Sequence, residues 1–178
     1  MALSSTKIRP VVAKLLETHN VVSPAVPVER IAKREGVILK YQPFEGELAG
    51  MLVNTGDQVV IGVNSHHHVN RQRFTIAHEL GHYKLHSKTM TGVHIDRAFK
   101  VHRRDQVSTL AIDDNEIEAN RFAAELLMPK SMIMHDIEQM FDIEDAHELR
   151  VLAKKYEVSP LAMANRVSNL LHLHKVWG

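Results

Sequence analysis

The sequence predicts an α+β fold: a small antiparallel sheet of about three strands, packed by helices. Three observations carry that prediction. Three short runs rich in β-branched and apolar residues, VILKY, LAGMLVN and QVVIGVN, follow one another between residues 37 and 64. The stretches before and after them show the three-to-four-residue apolar spacing of helices. Asn54-Thr55-Gly56-Asp57 is a turn signal that joins the last two runs as a hairpin.

Taken in order, Ile8 to His19 reads as an amphipathic helix with Val11, Val12, Leu15 and Leu16 on one face. NVVSPAVPVE follows as a loop, with Pro27 placed to open a short helix from Val28 to Glu35 that Gly36 ends. After the strands, Val69 to Ser87 reads as a long helix. Residues 88–113 have no clear period and form a long excursion exposing Arg97, Lys100, Arg103 and Arg104. Loops of that length often serve as lids or binding loops. Asp113 or Asp114 caps a helix that runs to Met128 and is stopped by Pro129. Further helices are expected at Met132–Met140, His147–Tyr156 and Leu161–His172. Residues 1–145 are expected to form the main domain, with 146–178 a helix-turn-helix-like pair packed on it.

The chain's 178 residues suffice for one domain with its own core and are few for two. Apolar residues at 44% and charged residues at 24% are ordinary for a soluble globular protein. A formal net charge of +1 provides no overall field to recruit nucleic acid or an anionic membrane. The absence of cysteine excludes disulfide frameworks and cysteine-based zinc sites, and it suits a reducing compartment. Lys7, Arg9 and Pro10 interrupt the apolar run that a secretory signal needs. No stretch approaches the roughly 20 apolar residues of a membrane span. A cytoplasmic protein is expected.

The compositional oddity is 13 histidines. Two of them lie in His78-Glu79-Leu80-Gly81-His82, an HExxH motif. Residues at i and i+4 share a helix face, so His78 and His82 can converge on one Zn²⁺. Glu79 lies about 100° round the helix, off the ligand face but within reach of a reacting water. A zinc held there supplies a water activated to a pKa of about 7 and a polarised carbonyl, and Glu79 is placed to take the proton and return it to the leaving amine. The same spacing also occurs in helices that bind nothing. Gly81 weighs against that, because a mid-helix glycine costs about 1 kcal/mol relative to alanine and implies close packing.

A catalytic zinc needs a third protein ligand. His86 lies eight residues from His78, about 12 Å along the axis, too far when ligands sit about 2 Å from one ion. The metzincin spacing also fails, since Leu85 and Lys88 hold the required positions. In NEIEANRFAAELLMP, Glu116, Asn120, Ala123 and Leu127 form one helical stripe, which Ala119, Phe122 and Leu126 widen. Glu118, Arg121 and Glu125 form a polar stripe assigned to solvent. An isolated inward glutamate would read as an ion-pair partner or a cap-region acid. Beside an HExxH helix, Glu116 reads as the third ligand, with Glu118 as the alternative, and Asn120 as a hydrogen-bond partner of a ligating imidazole. Nitrogen and oxygen ligands of this kind also accept other divalent ions such as Mn²⁺.

The runs RQRFTIAHELGHYKLH and EIEANRFAAELLMP, preceded by LAGMLVN and VVIGVN, resemble the ImmA/IrrE family of intracellular bacterial metallopeptidases over roughly Leu48 to Pro129. The resemblance implies a zincin-like fold, with the motif and the third ligand on separate helices. It also implies a zinc peptidase that cleaves a partner helix-turn-helix repressor, relieving repression of stress-response or mobile-element genes. Carried over by position, it makes His78, His82 and Glu116 ligands and Glu79 the catalytic acid/base. The family's radiation-response member has an additional C-terminal sensory domain, which a chain ending at Gly178 is expected to lack.

Tyr83 and His86 adjoin the motif and are candidate oxyanion donors, as are His102 or Arg104 if the long loop folds over the site. His66-His67-His68 reads as a polar loop and helix start, and Arg71 and Arg73 as ion-pair partners within the fold. The tail VLAKKYEVSPLAMANRVSNLL suggests two helices about Val158-Ser159-Pro160, which raises DNA binding as a competing reading. Only Asn165, Arg166 and Asn169 would read bases, and the balanced charge favours a structural or partner-docking pair. In that competing reading the protein is a DNA-binding or docking regulator with an inert or structural metal. Structural zinc is normally closed by four protein ligands, whereas three candidates and a surplus Glu79 are available here.

Overall fold

The computed structural model describes residues 3–46, 48–86, 92–97, 114–140 and 145–177. Helix α1 (Ser5–Thr18) buries Ile8, Val12, Leu15 and Leu16. The strict helical period therefore starts at Ile8, and Val11 falls at the edge of the stripe, 38% exposed. Helix α2 (Val28–Arg34) buries Val28, Ile31 and Ala32. Strands β1 (Val37–Gln42), β2 (Leu48–Asn54) and β3 (Val59–Asn64) follow. At the β2–β3 turn Gly56 takes φ +89°, a conformation that suits glycine. Its N–H donates to Asn54 Oδ1 at 3.0 Å.

The α+β class and the zincin-like arrangement hold, and the sheet differs from the expected one in two respects. Among the described residues it has four strands in the order β1-β3-β2-β4, and the β1–β3 pair is parallel. The other two pairs are antiparallel, with Val53 opposite Val60 on one side and Val93 on the other. β3 is buried along almost its whole length, while β1 is exposed over its last three residues. The most apolar strand thus takes an interior place, and the β2–β3 hairpin returns beside β1 rather than outside it. Periodicity identifies strands but not their neighbours. The fourth strand, β4 (Gly92–Arg97), falls in the stretch read as an aperiodic excursion. Six residues are too few for an alternation to register. Lys100, His102, Arg103, Arg104 and Asp113 lie outside the described residues.

Helix α3 (Val69–His86) is buried over much of its circumference, with a continuous run from Thr75 to His82. It packs on β2 and β3, on α2, and on α4 (Asp114–Leu127). A helix enclosed in this way shows little amphipathic contrast. Helix α5 (Lys130–Ile137) starts directly after Pro129, earlier than Met132. Helices α6 (Ala146–Tyr156) and α7 (Pro160–Trp177) follow, α6 capped by Asp145, which accepts the His147 N–H at 2.7 Å. The core joins Ile8, Ile31, Ile61, Leu80, Phe122 and Tyr156.

The α6–α7 pair is tied to the rest by polar contacts. Arg166 Nε donates to the Met128 carbonyl at 3.0 Å, and its NH2 pairs with Glu125 Oε2 at 2.5 Å. Tyr156 OH donates to Asp136 Oδ2 at 2.8 Å, and Arg73 pairs with Glu157 at 3.1 Å. Arg166 is therefore a buried anchor rather than an exposed base-reading group.

Candidate metal centre

The site begins with the absence of a side chain at Gly81. A Cβ there would lie 3.0 Å from Phe122 Cδ1 and 3.2 Å from Ala119 Cα, so α3 and α4 meet more closely than a side chain at this position ordinarily permits. His78 and His82 stand on this face of α3, their ring centroids 4.6 Å apart and edge to face. Glu116 faces them from the first turn of α4. Its Oε2 lies 3.3 Å from His78 Nε2 and its Oε1 3.2 Å from His82 Nε2. The two imidazole nitrogens are 3.0 Å apart.

These three groups could hold one metal ion. Ligand atoms about 2.0–2.1 Å from a tetrahedral ion lie about 3.3 Å from one another, and the observed separations fit that triangle. The donor set, two imidazole nitrogens and one carboxylate, suits zinc and tolerates related divalent ions. The histidine side chains are 1% and 0% exposed, and Glu116 is 30% exposed, so the triad opens to solvent on the α4 side.

Glu79 is fully buried and its carboxylate reaches the sheet at Gly50. Its Oε1 lies 3.5 Å from the point that a Cβ on Gly50 would occupy. Thr75 Cγ2 lies 2.3 Å from the same point and the Gly62 carbonyl oxygen 2.9 Å, so the bare backbone of β2 at Gly50 accommodates both α3 side chains. Gly50 carries no functional signal in the sequence that names these partners. A glycine inside a strand does signal close backbone approach, but it does not say what approaches.

Glu118, expected on the solvent stripe or as the alternative ligand, is buried and lies beside His86, Oε2 to Nε2 at 3.7 Å. Glu125 is likewise buried, and Arg121 is the exposed member of that stripe. The reason is packing on the far side of α4. The Leu3 N–H donates to Glu118 Oε1 at 2.6 Å, while Arg9 and Arg166 flank Glu125. Paired charges can line a helix that is covered on several sides. Asn120 is half-buried, and its Oδ1 has no hydrogen-bond partner among the described residues. Tyr83 is half-buried against the core, with the Lys84 ammonium 5.5 Å from its ring centroid. His86 is buried, its ring 5.7 Å from that of His82. Arg73 is buried and donates to the Val26 carbonyl at 2.9 Å. Burial lowers its pKa, and Glu157 and Glu29 act in the opposite direction.

At the end of α3, Lys84 and His19 both bond the Glu35 carboxylate, His19 Nε2 at 2.7 Å. Burial pushes the Glu35 carboxyl upward, but these two partners outweigh it, and the net shift is downward.

Comparison with known proteins decides the family. The model of the M78 peptidases, described as an IrrE N-terminal-like domain, matches residues 32–168. The chain belongs to the M78 peptidase family. An "uncharacterized immunity region protein 2" of Bacillus phage phi105 is 31% identical to this chain over 85 residues, 48% of each chain. A Mycobacterium tuberculosis transcriptional regulator has the same fold, with a TM-score of 0.60 at 16% identity. That likeness covers 91% of this chain and 47% of the regulator, so the chain spans about half the length of these proteins. Among the described residues, no helix is long and apolar enough to cross a membrane.

Proposed function

We propose that this M78 peptidase is a zinc-dependent endopeptidase of the cytoplasm that cleaves a partner helix-turn-helix repressor and so relieves repression of stress-response or mobile-element genes. The observation that carries the proposal is the triangle of His78, His82 and Glu116, closed to about 3 Å by two helices, with a buried Glu79 next to His78 on α3. The family membership and the phage relative named for an immunity region support the substrate class.

In this reading His78, His82 and Glu116 would hold the ion, which when bound would supply an activated water and polarise a carbonyl. Glu79 takes the proton of the attacking water on its carboxylate and passes it to the amine nitrogen as the peptide C–N bond breaks. Water is consumed, and a new carboxylate and a new protonated amine result. The low exposure of Glu79 keeps that proton from bulk solvent. A DNA-binding role for α6–α7 has less support, because Arg166 is committed to Glu125.

The test is Glu79→Gln beside wild type, assayed for bound metal and for cleavage of the repressor encoded next to this gene. Zinc should be retained and cleavage should fall by about 10²–10⁴-fold. Undiminished cleavage would remove Glu79 from the chemistry, and a wild type that binds no divalent ion would end the metal reading.

A further inference from the structure

Beyond the ligand triangle, the same two helices make a second contact. His86 stands one turn past His82 on α3, and Glu118 stands two residues past Glu116 on α4. Nε2 of His86 lies 3.7 Å from Oε2 of Glu118, and both side chains are less than a tenth exposed. The His86 ring adjoins that of His82 at 5.7 Å, so the pair abuts the ligand row. The other oxygen of Glu118 accepts the Leu3 N–H at 2.6 Å, and the Leu3 carbonyl accepts from Arg121 at 2.7 Å.

A buried polar pair adds little stability over apolar groups of the same size, and buried polar groups are best attested as devices that define register. Register is what this site requires. The Gly81–Phe122 contact sets the distance between the helices, but an apolar contact is non-directional and permits α4 to rotate. Glu116, in the first turn of α4 and 30% exposed, would leave the imidazoles with a small rotation. A carboxylate held between His86 and the Leu3 backbone opposes that rotation.

We propose that His86 and Glu118 are positioning residues of the metal site, setting the rotation of α4 on α3 and thereby holding the Glu116 carboxylate against His78 and His82. The inference rests on the metal reading above and is independent of peptidase activity. Its test is the Zn²⁺ affinity of the full chain, measured by competition with a chromophoric chelator, with the Co²⁺ absorption spectrum reporting coordination. His86→Gln and Glu118→Gln should each weaken Zn²⁺ by about 10–100-fold and alter the Co²⁺ spectrum. The double variant should be no weaker than the worse single one, as expected for one coupled unit.

Glu125→Gln is the control, since Glu125 is equally buried on the same helix but is bonded to Arg9, Lys130 and Arg166. It should lower Tm and leave Zn²⁺ affinity unchanged. Folded His86 and Glu118 variants with wild-type affinity and spectrum would overturn the inference, as would an equal loss of affinity in Glu125→Gln. If Glu118→Gln does not fold, His86→Gln, which leaves Glu118 its bond to Leu3, is read alone. A wild type that binds no Zn²⁺ instead sinks the metal reading itself, so the two failures are distinguishable.

Discussion

At Gly81 two energetic terms of opposite sign meet. Alanine in a helix interior is favoured over glycine by about 1 kcal/mol. Here its methyl would press on Phe122 and on the Ala119 backbone at 3.0–3.2 Å, and overpacking of that kind costs about 1–3 kcal/mol. Because the contact includes backbone, the clash should win, and Gly81→Ala should be destabilising by up to about 2 kcal/mol. For a chain of this size that is a Tm fall of up to about 8 °C. A rise in Tm on thermal denaturation would mean that α4 does not approach as closely as described. Gly81 is legible in the sequence because a mid-helix glycine needs a reason. His78, His82 and the separate face of Glu79 follow from the turn of a helix, and Glu116 from its stripe. Gly50 is harder to read, since the groups that need its bare backbone, Thr75 and Glu79, come from a helix far along the chain. The Glu118–His86 contact is harder still, because helical stripes describe one partner surface and α4 has several.

Among the elements, the helices and three of the strands can be read from local pattern, and their mutual arrangement cannot. Nothing in VILKY says that it will lie parallel to β3, and nothing local announces that α1, α2 and α3 end at one carboxylate. Glu35 follows the last turn of α2, His19 follows the last turn of α1, and Lys84 lies in the last turn of α3. Burial opposes the charge on Glu35, yet the bonds from Lys84 and His19 hold its carboxyl below the ordinary 4.5. A folded value below the unfolded one means that the stabilisation is fully present above that ordinary value and is lost as pH falls through the folded value. Glu35→Gln should therefore cost about 1–3 kcal/mol near neutral pH, the range for hydrogen bonds to a charged group. The Tm curves of wild type and variant should converge on acidification below 4.5. Curves that stay parallel across that range would show that the carboxylate charge contributes nothing to the junction of the three helices.

For the whole molecule, the question is how far the metal centre is part of the fold. The hydrophobic core runs from Ile8 on α1 to Leu170 on α7 without passing through His78, His82 or Glu116. Apo-protein should therefore keep its secondary structure, unlike small zinc modules whose metal substitutes for a core. Zinc that binds the folded chain and not the unfolded one still adds RT ln(1 + [Zn]/Kd), about 2.7 kcal/mol at a free concentration of 100 Kd. At about 2–4 °C per kcal/mol, Tm should rise by about 5–11 °C on loading, with an unchanged far-ultraviolet circular dichroism spectrum at 25 °C. Glu116→Ala removes the most exposed member of the triangle, so apo stability should change little while the zinc-dependent rise in Tm largely disappears. Calorimetry of wild type and Glu116→Ala, each with chelator and with added ZnCl₂, separates the outcomes. An equal rise in both proteins would place the stabilising ion elsewhere on this histidine-rich chain, and collapse of the dichroism on chelation would make the ion a structural element of the fold.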